Sequence, residues 1–487
     1  MTIGALPDNV LLDIFGLYCQ KVAPLRWEYR TIDLGLVPFP APAHVPWNTL
    51  VHVCQRWRYV VFASPVRLDL CLLCTSETPV RETLDVWPPL PIEIALRDSV
   101  SYDVDNVIAT LEHPDRVRNI LIGNLTCSQL ERLVPMMQEP FPVLTILQLW
   151  AGETTPALPD MFLGGSAPRL QALSLMGIPF PRLPRILLSA TNLSRLTLER
   201  TPHTGYISPE AMVTGLSALT RLRYLIIQFI SPASRPDRRG RRPPLTLVIL
   251  PALEELEFRG VSEYLEDLVA RIVAPRLRTF HISFLNQLIF NIQQLPYFIG
   301  HAKILSSSSK ATVIIVEDYV VIRLNPPTET NTWSDFRLGI YCKVVDWQVS
   351  SMAQICNQFS FFPSIVEQLT IQHRDIDWES TQQVDMDDTQ WLELFRPFTA
   401  VRTLRISCRM QPLIVPALQE LTGERATEVL PALDSLYLEN YQPSGSEQQA
   451  IEPFIAARQY SDHPVAVHPW EGPLGPLIRF YETMGSD

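Results

Sequence analysis

One short unit recurs along the chain: apolar residues at its first, fourth and sixth places, usually leucine and commonly behind a proline. It reads PVLTILQL at 142–149, PRLQALSL at 168–175, TNLSRLTL at 191–198 and TRLRYLII at 220–227. It continues as PALEELEF at 251–258, PRLRTFHI at 275–282, TAVRTLRI at 399–406 and PALDSLYL at 431–438, with weaker copies DRVRNILI at 115–122 and SIVEQLTI at 364–371. From 115 to 275 successive copies start 27, 26, 23, 29, 31 and 24 residues apart. The last three places of each unit alternate apolar, polar, apolar, the mark of a strand with one buried face. Helix-like spacing follows several strands, as in Leu130, Leu133, Val134 and Met137, or Leu265, Leu268, Val269 and Ile272. Strand, turn and helix at a fixed period predict parallel strands joined by right-handed crossovers. No unit of that size buries its own apolar face, so neighbours must stack into a solenoid. The competing reading is an ordinary α/β domain rich in leucine.

The spacing brackets the roughly 20–29 residues of leucine-rich repeats, and the pattern resembles divergent members of that family. The family places Asn or Cys three residues beyond each strand, where the side chain ties successive turns together. Here those positions hold Gly152, Ile178, Thr201, Ile230, Val261, Leu285, Arg409 and Tyr441. Without that ladder the curve should be irregular. Between 300 and 363 the unit fades into strands rich in β-branched residues, ATVIIVEDYVVIRL at 311–324 and FRLGIYCKVV at 336–345. Polar interruptions at 231–244, 306–310 and 377–388 read as solvated loops. The fold class expected is α/β: a small helical module over 1–65, an irregular leucine-rich-repeat solenoid over 66–462, and a proline-rich C-terminal tail over 463–487.

A hydrophobic fraction of 47% supports a large core. No apolar run approaches the roughly 18 residues that span a bilayer, and MTIGALPDNVLLD lacks the pattern of a secretory signal. The expectation is a soluble intracellular protein with no membrane partner. Cys19, Cys54, Cys127, Cys342, Cys356 and Cys408 lie among apolar neighbours, as buried free thiols do. Cys71 and Cys74 form a C-x-x-C, but no second ligand pair lies nearby, so two strand thiols are expected rather than a zinc or redox site. A net charge of -11 disfavours nucleic acid as a partner.

At the N-terminus, LPDNVLLDIFGLY carries two helical stripes, Val10, Ile14 and Leu17 beside Leu11, Phe15 and Tyr18. Pro7 and Asp8 suit a helix start. Trp47, Leu50, Val51, Val53, Cys54 and Trp57 again fall at helical spacing, and Ser64-Pro65 ends that run. The two segments are too short to bury a core alone. Leu-Pro, then an aliphatic stripe ending Ile-Phe, then Val-Cys-x-x-Trp resembles the F-box, and the whole chain is similar to fungal F-box-like proteins with divergent leucine-rich repeats. That resemblance implies docking to an acidic Skp-family adaptor and through it a cullin ubiquitin ligase, with the repeats gripping an unknown protein substrate. Carried over by position, the adaptor contact would use Leu6, Pro7, Leu11, Ile14 and Phe15 from the first helix, and Val53, Cys54 and Trp57 from the later ones. The compact motif lacks the insertion at about 23–46, whose apolar WEYRTIDLGLVPF is able to fold over that surface. The alternative is a repeat scaffold whose N-terminal helices only cap the solenoid.

Catalytic motifs are missing from the sequence: there is no G-x-S-x-G, H-E-x-x-H, G-x-x-x-x-G-K or G-x-G-x-x-G. The nine histidines are dispersed. The expectation is no enzyme activity, no cofactor, no metal, and ligase chemistry supplied by partners. The arginines of 235–242, with Arg238-Arg242 closing the run, suit a nuclear import signal, a basic patch for an acidic partner, or a solvated loop between repeats. Localisation is thus cytoplasmic, or nuclear if that signal is real. One bias remains. Only Lys21, Lys303, Lys310 and Lys343 are lysines, so 36 of 40 basic residues are arginine. Either gene composition or exclusion of ubiquitin acceptors accounts for it, and asparagine, whose codons match lysine's in GC content, still occurs twelve times.

Overall fold

The computed structural model describes residues 6–22, 46–75, 78–96, 104–152, 155–236, 247–287, 289–301, 309–325, 335–359, 363–373, 388–421, 423–441 and 446–471. The insertion read at 23–46 (all but Pro46), Arg238-Arg242, Lys303, most of the loop read at 377–388 and the tail beyond 471 lie outside the described residues. Two compact units divide the chain, one of Met1–Gly152 with Met161–Gly164, the other of Glu153–Asp160 with Gly165–Gly472.

The first unit opens with three helices, α1 (Asp8–Val22), α2 (Pro46–Val51) and α3 (Gln55–Phe62). Strands and helices then alternate: β1 (Leu72–Cys74), α4 (Val80–Val86), β2 (Ile92–Leu96), α5 (Val104–Leu111), β3 (Val117–Leu125), α6 (Cys127–Leu133) and β4 (Ile146–Ala151). The strands pair in parallel, with Ile94 opposite Ile120 and Ile120 opposite Leu147. Their burial alternates, so one face forms the core as the apolar-polar-apolar pattern requires. The helix after β3 starts where Thr126 and Gln129 exchange side-chain to backbone hydrogen bonds, a capping box that satisfies two orphan donors.

The second unit continues with β5 (Ala172–Met176), α7 (Leu183–Ser189), β6 (Arg195–Thr201), α8 (Pro209–Leu216), β7 (Tyr224–Phe229), β8 (Val248–Ile249), β9 (Glu255–Gly260), α9 (Ser262–Val269), β10 (Ile272–Val273), β11 (Thr279–Leu285) and α10 (Gln294–His301). Next come β12 (Lys310–Val316), β13 (Tyr319–Asn325), β14 (Asp335–Tyr341), α11 (Val345–Gln358), β15 (Gln368–His373), α12 (Asp388–Phe395), β16 (Thr403–Ile406), α13 (Gln411–Gln419), β17 (Ser435–Glu439), α14 (Ser446–Tyr460) and β18 (Ala466–Trp470). Their sheet order is β5-β6-β7-β9-β11-β14-β13-β12-β15-β16-β17-β18, with β8 and β10 paired separately. Leu173, Leu196, Leu225, Leu256 and Phe280 stand opposite one another in successive parallel strands, all buried. The repeat is therefore a leucine-rich-repeat type of parallel ladder.

Three details depart from the sequence expectation. The run at 311–324 is two strands, not one, because the chain reverses at Glu317-Asp318; β13 lies antiparallel to both β12 and β14. A three-strand meander thus replaces regular coils, with its last strand β14 beside β11 and its first, β12, beside β15. Ile272 belongs to β10 and not to the helix before it, which ends at Val269. β18 extends the sheet past residue 462, where the solenoid was expected to stop: its Val467 faces Leu436 of β17.

Buried carboxamides and one carboxylate do the tying that the missing Asn or Cys would do. The Gln348 amide, fully buried on α11, donates to the carbonyls of Val316, Glu317 and Cys342 at 3.1, 3.1 and 2.7 Å. Gln287 accepts from the Ser262 N–H at 2.9 Å and donates to the Ile289 carbonyl at 2.9 Å. Glu266 on α9 accepts from the backbone N–H groups of Gln293, Gln294 and Leu295 at 2.9, 2.8 and 2.8 Å, filling orphan donors at the start of α10. Glu266→Ala should cost roughly 1–2 kcal/mol, since it leaves three backbone amides at the start of α10 without their cap. Denaturant unfolding measures that loss, and hydrogen exchange should quicken at residues 293–295 first. Unchanged exchange there would show that α10 does not depend on this cap.

Candidate functional site

The helical module is closed by aromatic packing. The Phe15 and Trp57 rings sit 4.7 Å apart between α1 and α3. Leu11, Phe15, Leu50, Val51, Val60 and Val61 are buried. Cys54 caps α3: its backbone is extended and its sulfur accepts from the Trp57 N–H at 3.5 Å. Arg56 then reaches back to the start of α1, donating to the Leu6 carbonyl at 2.5 Å and to Asp8 at 2.7 Å. So the Leu-Pro start and the Val-Cys-x-x-Trp segment, some fifty residues apart in sequence, are neighbours.

The eight residues assigned to the adaptor contact fall into two sets. Leu11 and Phe15 are buried in the core of the module, whereas none of the other six is. The helix turns 100° per residue, so of two adjoining stripes one had to face inward, and periodicity alone does not say which. Leu6 and Trp57 are half-buried, while Pro7 and Cys54 are exposed. Ile14 and Val53 are exposed, at 38% and 56%. Sequence reasoning placed Leu17 and Tyr18 on the stripes but not in the site. Leu17 is 63% exposed and Tyr18 36%, so Ile14, Leu17 and Tyr18 form one uncovered apolar strip at i, i+3 and i+4 among the described residues.

The same module leans on the strands behind it. The Trp47 indole N–H donates to the Cys71 carbonyl at 3.0 Å, just ahead of β1. Trp47 and Phe62 meet Trp87 with ring centroids 5.4 and 6.0 Å away. Burial pushes the Cys71 and Cys74 thiols up, away from the thiolate that metal binding or disulfide exchange needs. All eight cysteines are free; Cys54 and Cys408 are exposed, against the expectation of buried thiols. Among the described residues no group of three His, Cys, Asp or Glu could hold a metal, and no helix is long and apolar enough to cross a membrane.

In the second unit, the strand face opposite the core carries a row that the register defines: Glu257, His281, Arg337, Arg323, Thr312, Thr370, Arg405, Tyr437 and His468. It is densely paired. Asp335 receives His281 at 3.1 Å and Arg337 at 2.6 Å. Burial alone would push the Asp335 carboxyl up, but those two partners outweigh it and hold it below the usual carboxylate range. Arg259 stacks over Tyr341 at 4.1 Å, and Arg405 over Tyr437 at 5.2 Å. The Tyr319 ring lies across Gly339, where a Cβ would collide with it.

No family model matches the chain, and no curated protein matches it. Among solved structures, the leucine-rich repeat-containing protein LegL7 from Legionella pneumophila is similar over 79% of this chain and 97% of its own, with 10% identity and a TM-score of 0.25. A likeness that distant establishes neither family nor function.

Burial pushes the Glu199 carboxyl up to about 7, with repulsion from Glu257 adding and Arg195 opposing. The unfolded chain releases this proton near the ordinary glutamate value of about 4.3. The folded state holds it more tightly, so stability falls as pH rises through that interval, and the loss is complete above about 7. Glu199→Gln should therefore stabilise the fold more at pH 8 than at pH 4.5, by on the order of 2 kcal/mol. Melting curves at both pH values test this, and a pH-independent difference would mean that Glu199 titrates normally.

Proposed function

We propose that the chain is the substrate receptor of a Skp–cullin–F-box ubiquitin ligase. α1 docks a Skp-family adaptor, and the leucine-rich ladder takes a protein substrate. Ligase chemistry belongs to the partners in this reading, and the chain itself is no enzyme. The observation that carries it is the uncovered strip Ile14, Leu17 and Tyr18. It lies on a module whose Leu-Pro and Val-Cys-x-x-Trp segments meet around Phe15 and Trp57. An apolar strip facing water on so small a module is a surface for a partner. The acidic adaptor named by the F-box resemblance is the occupant.

A second reading has its own support. Trp47 bonds to the backbone just ahead of β1 and packs on Phe62, which supports helices that only cap the strands of a free-standing protein-binding scaffold. The two readings separate by experiment. Ile14→Asp with Leu17→Asp changes only exposed positions, so the melting temperature should hold while a co-expressed Skp-family adaptor no longer co-purifies. Each substitution should cost binding energy on the hot-spot scale of roughly 2–4 kcal/mol. Undiminished co-purification of the double variant, or a parent chain that never retains the adaptor, would leave the scaffold reading. Phe15→Ala is the contrasting control, expected to destabilise the module by about 3–5 kcal/mol.

A further inference from the structure

We infer that lysine is excluded from this chain to keep the receptor from being modified by the ligase it recruits; the inference rests on the receptor reading. Residues 22–302 contain no lysine at all. Base composition is a weak cause, because lysine and asparagine codons share their first two bases, yet asparagine occurs twelve times against four lysines. Phenylalanine and tyrosine, whose codons are also rich in A and T, number 20 and 14.

The structure separates arginines that need a guanidinium from those that do not. Arg458 is fully buried and donates to the carbonyls of Ala426 at 3.1 Å and Leu433 at 2.8 Å, a fork that an ammonium cannot reproduce. Arg195 and Arg259 lie over the tyrosine rings of Tyr224 and Tyr341, each at 4.1 Å. Other arginines make only a single exposed ion pair. Arg132 pairs with Asp105 at 2.5 Å, Arg182 with Asp160 at 2.9 Å and Arg425 with Glu428 at 2.9 Å, all with solvent-exposed guanidinium groups. Pairs like these contribute little to stability, and lysine serves them as well. Arginine is nonetheless used at each. Folding does not demand the bias, so its cause lies in what a lysine would do.

What a lysine does beside a loaded ligase is chemically specific. Its neutral ε-amine attacks the carbonyl carbon of the ubiquitin C-terminal thioester; the N–C bond forms, the C–S bond breaks, and the thiol departs with the proton the amine gives up. A guanidinium keeps its proton throughout the physiological pH range and its nitrogen electrons are delocalised, so it is no acceptor. Lys310 and Lys343, exposed in the second unit, are the acceptors left among the residues whose side chains are described.

The test restores acceptors without changing charge. Arg132, Arg169, Arg182, Arg276 and Arg425, all on the surface, are replaced together by lysine in the full chain. Half-life is then followed in cells expressing a Skp-family adaptor and a cullin. The expected result is an unchanged melting temperature, retained adaptor, and a half-life at least three-fold shorter. Adding Ile14→Asp and Leu17→Asp should restore the parental half-life. An unchanged half-life with the adaptor still bound overturns the inference and leaves the receptor reading standing. A shortened half-life that persists when docking is broken also overturns it, since the modification then comes from elsewhere. A parent chain that retains no adaptor removes the receptor reading, and the inference with it.

Discussion

Everything in the second unit hangs on one row of side chains in register. Leu173, Leu196, Leu225, Leu256, Phe280, Phe336, Leu324, Ala311, Leu369, Leu404, Leu436 and Val467 stand opposite one another from β5 to β18. A second row, from Leu175 through Phe258, Leu338 and Ile371 to Leu438, runs two residues further on. Each fully buried member contributes roughly 1.5–3 kcal/mol, and a slip of one residue would turn a whole strand inside out. The rows pass through the antiparallel β13 without a break. Ile322 meets Leu338 on one side and Val313 on the other, so reversing the chain direction keeps the same residues inward. That is why a meander can be spliced into a parallel ladder: the core reads side-chain alternation, which is blind to strand polarity.

The same logic explains what the sequence made legible. The period, the strands and the five inward residues from Leu173 to Phe280 follow from L-x-x-L-x-L, because burying one face of a strand leaves a fixed signature. The reversal at Glu317-Asp318 left none. β-branched residues suit either polarity of pairing, and the turn carries neither glycine nor proline to announce it. Nor could the tying residues be found by looking for Asn or Cys at the expected offset. Gln287, Gln348 and Glu266 act from other positions, with longer side chains, and only the folded chain shows which carbonyls and amides they reach.

At the helical module, the motif was legible and its faces were not. Leu11, Ile14, Phe15 and Leu17 are equally apolar in the sequence, and both of their stripes fit a helix. What sorts them is Trp57, whose ring meets Phe15 from a segment some forty residues later. A long-range contact of that kind has no local trace. Trp57 is held in turn by the Cys54 cap and by the Arg56 link to Leu6 and Asp8. The Val-Cys-x-x-Trp segment thus has an internal structural purpose whether or not a partner binds. Its presence alone is therefore weaker support for docking than the strip it leaves uncovered.

Docking and capping are also less opposed than they look in the sequence. The residue bonded to the backbone just ahead of β1 is Trp47 of α2, which packs on Phe62 of α3, whereas the uncovered strip belongs to α1. One small module can seal a strand edge with one face and present another to a partner, and the two uses draw on different side chains. A terminal ladder strand needs cover in any solenoid, so the contact at β1 would be selected in a scaffold and in a receptor alike. Ile14, Leu17 and Tyr18 lie together on one face of α1 and stay exposed in the described fold. An apolar strip kept in water costs solubility for as long as it stays bare, and that cost makes sense where a second protein covers it for most of the chain's life.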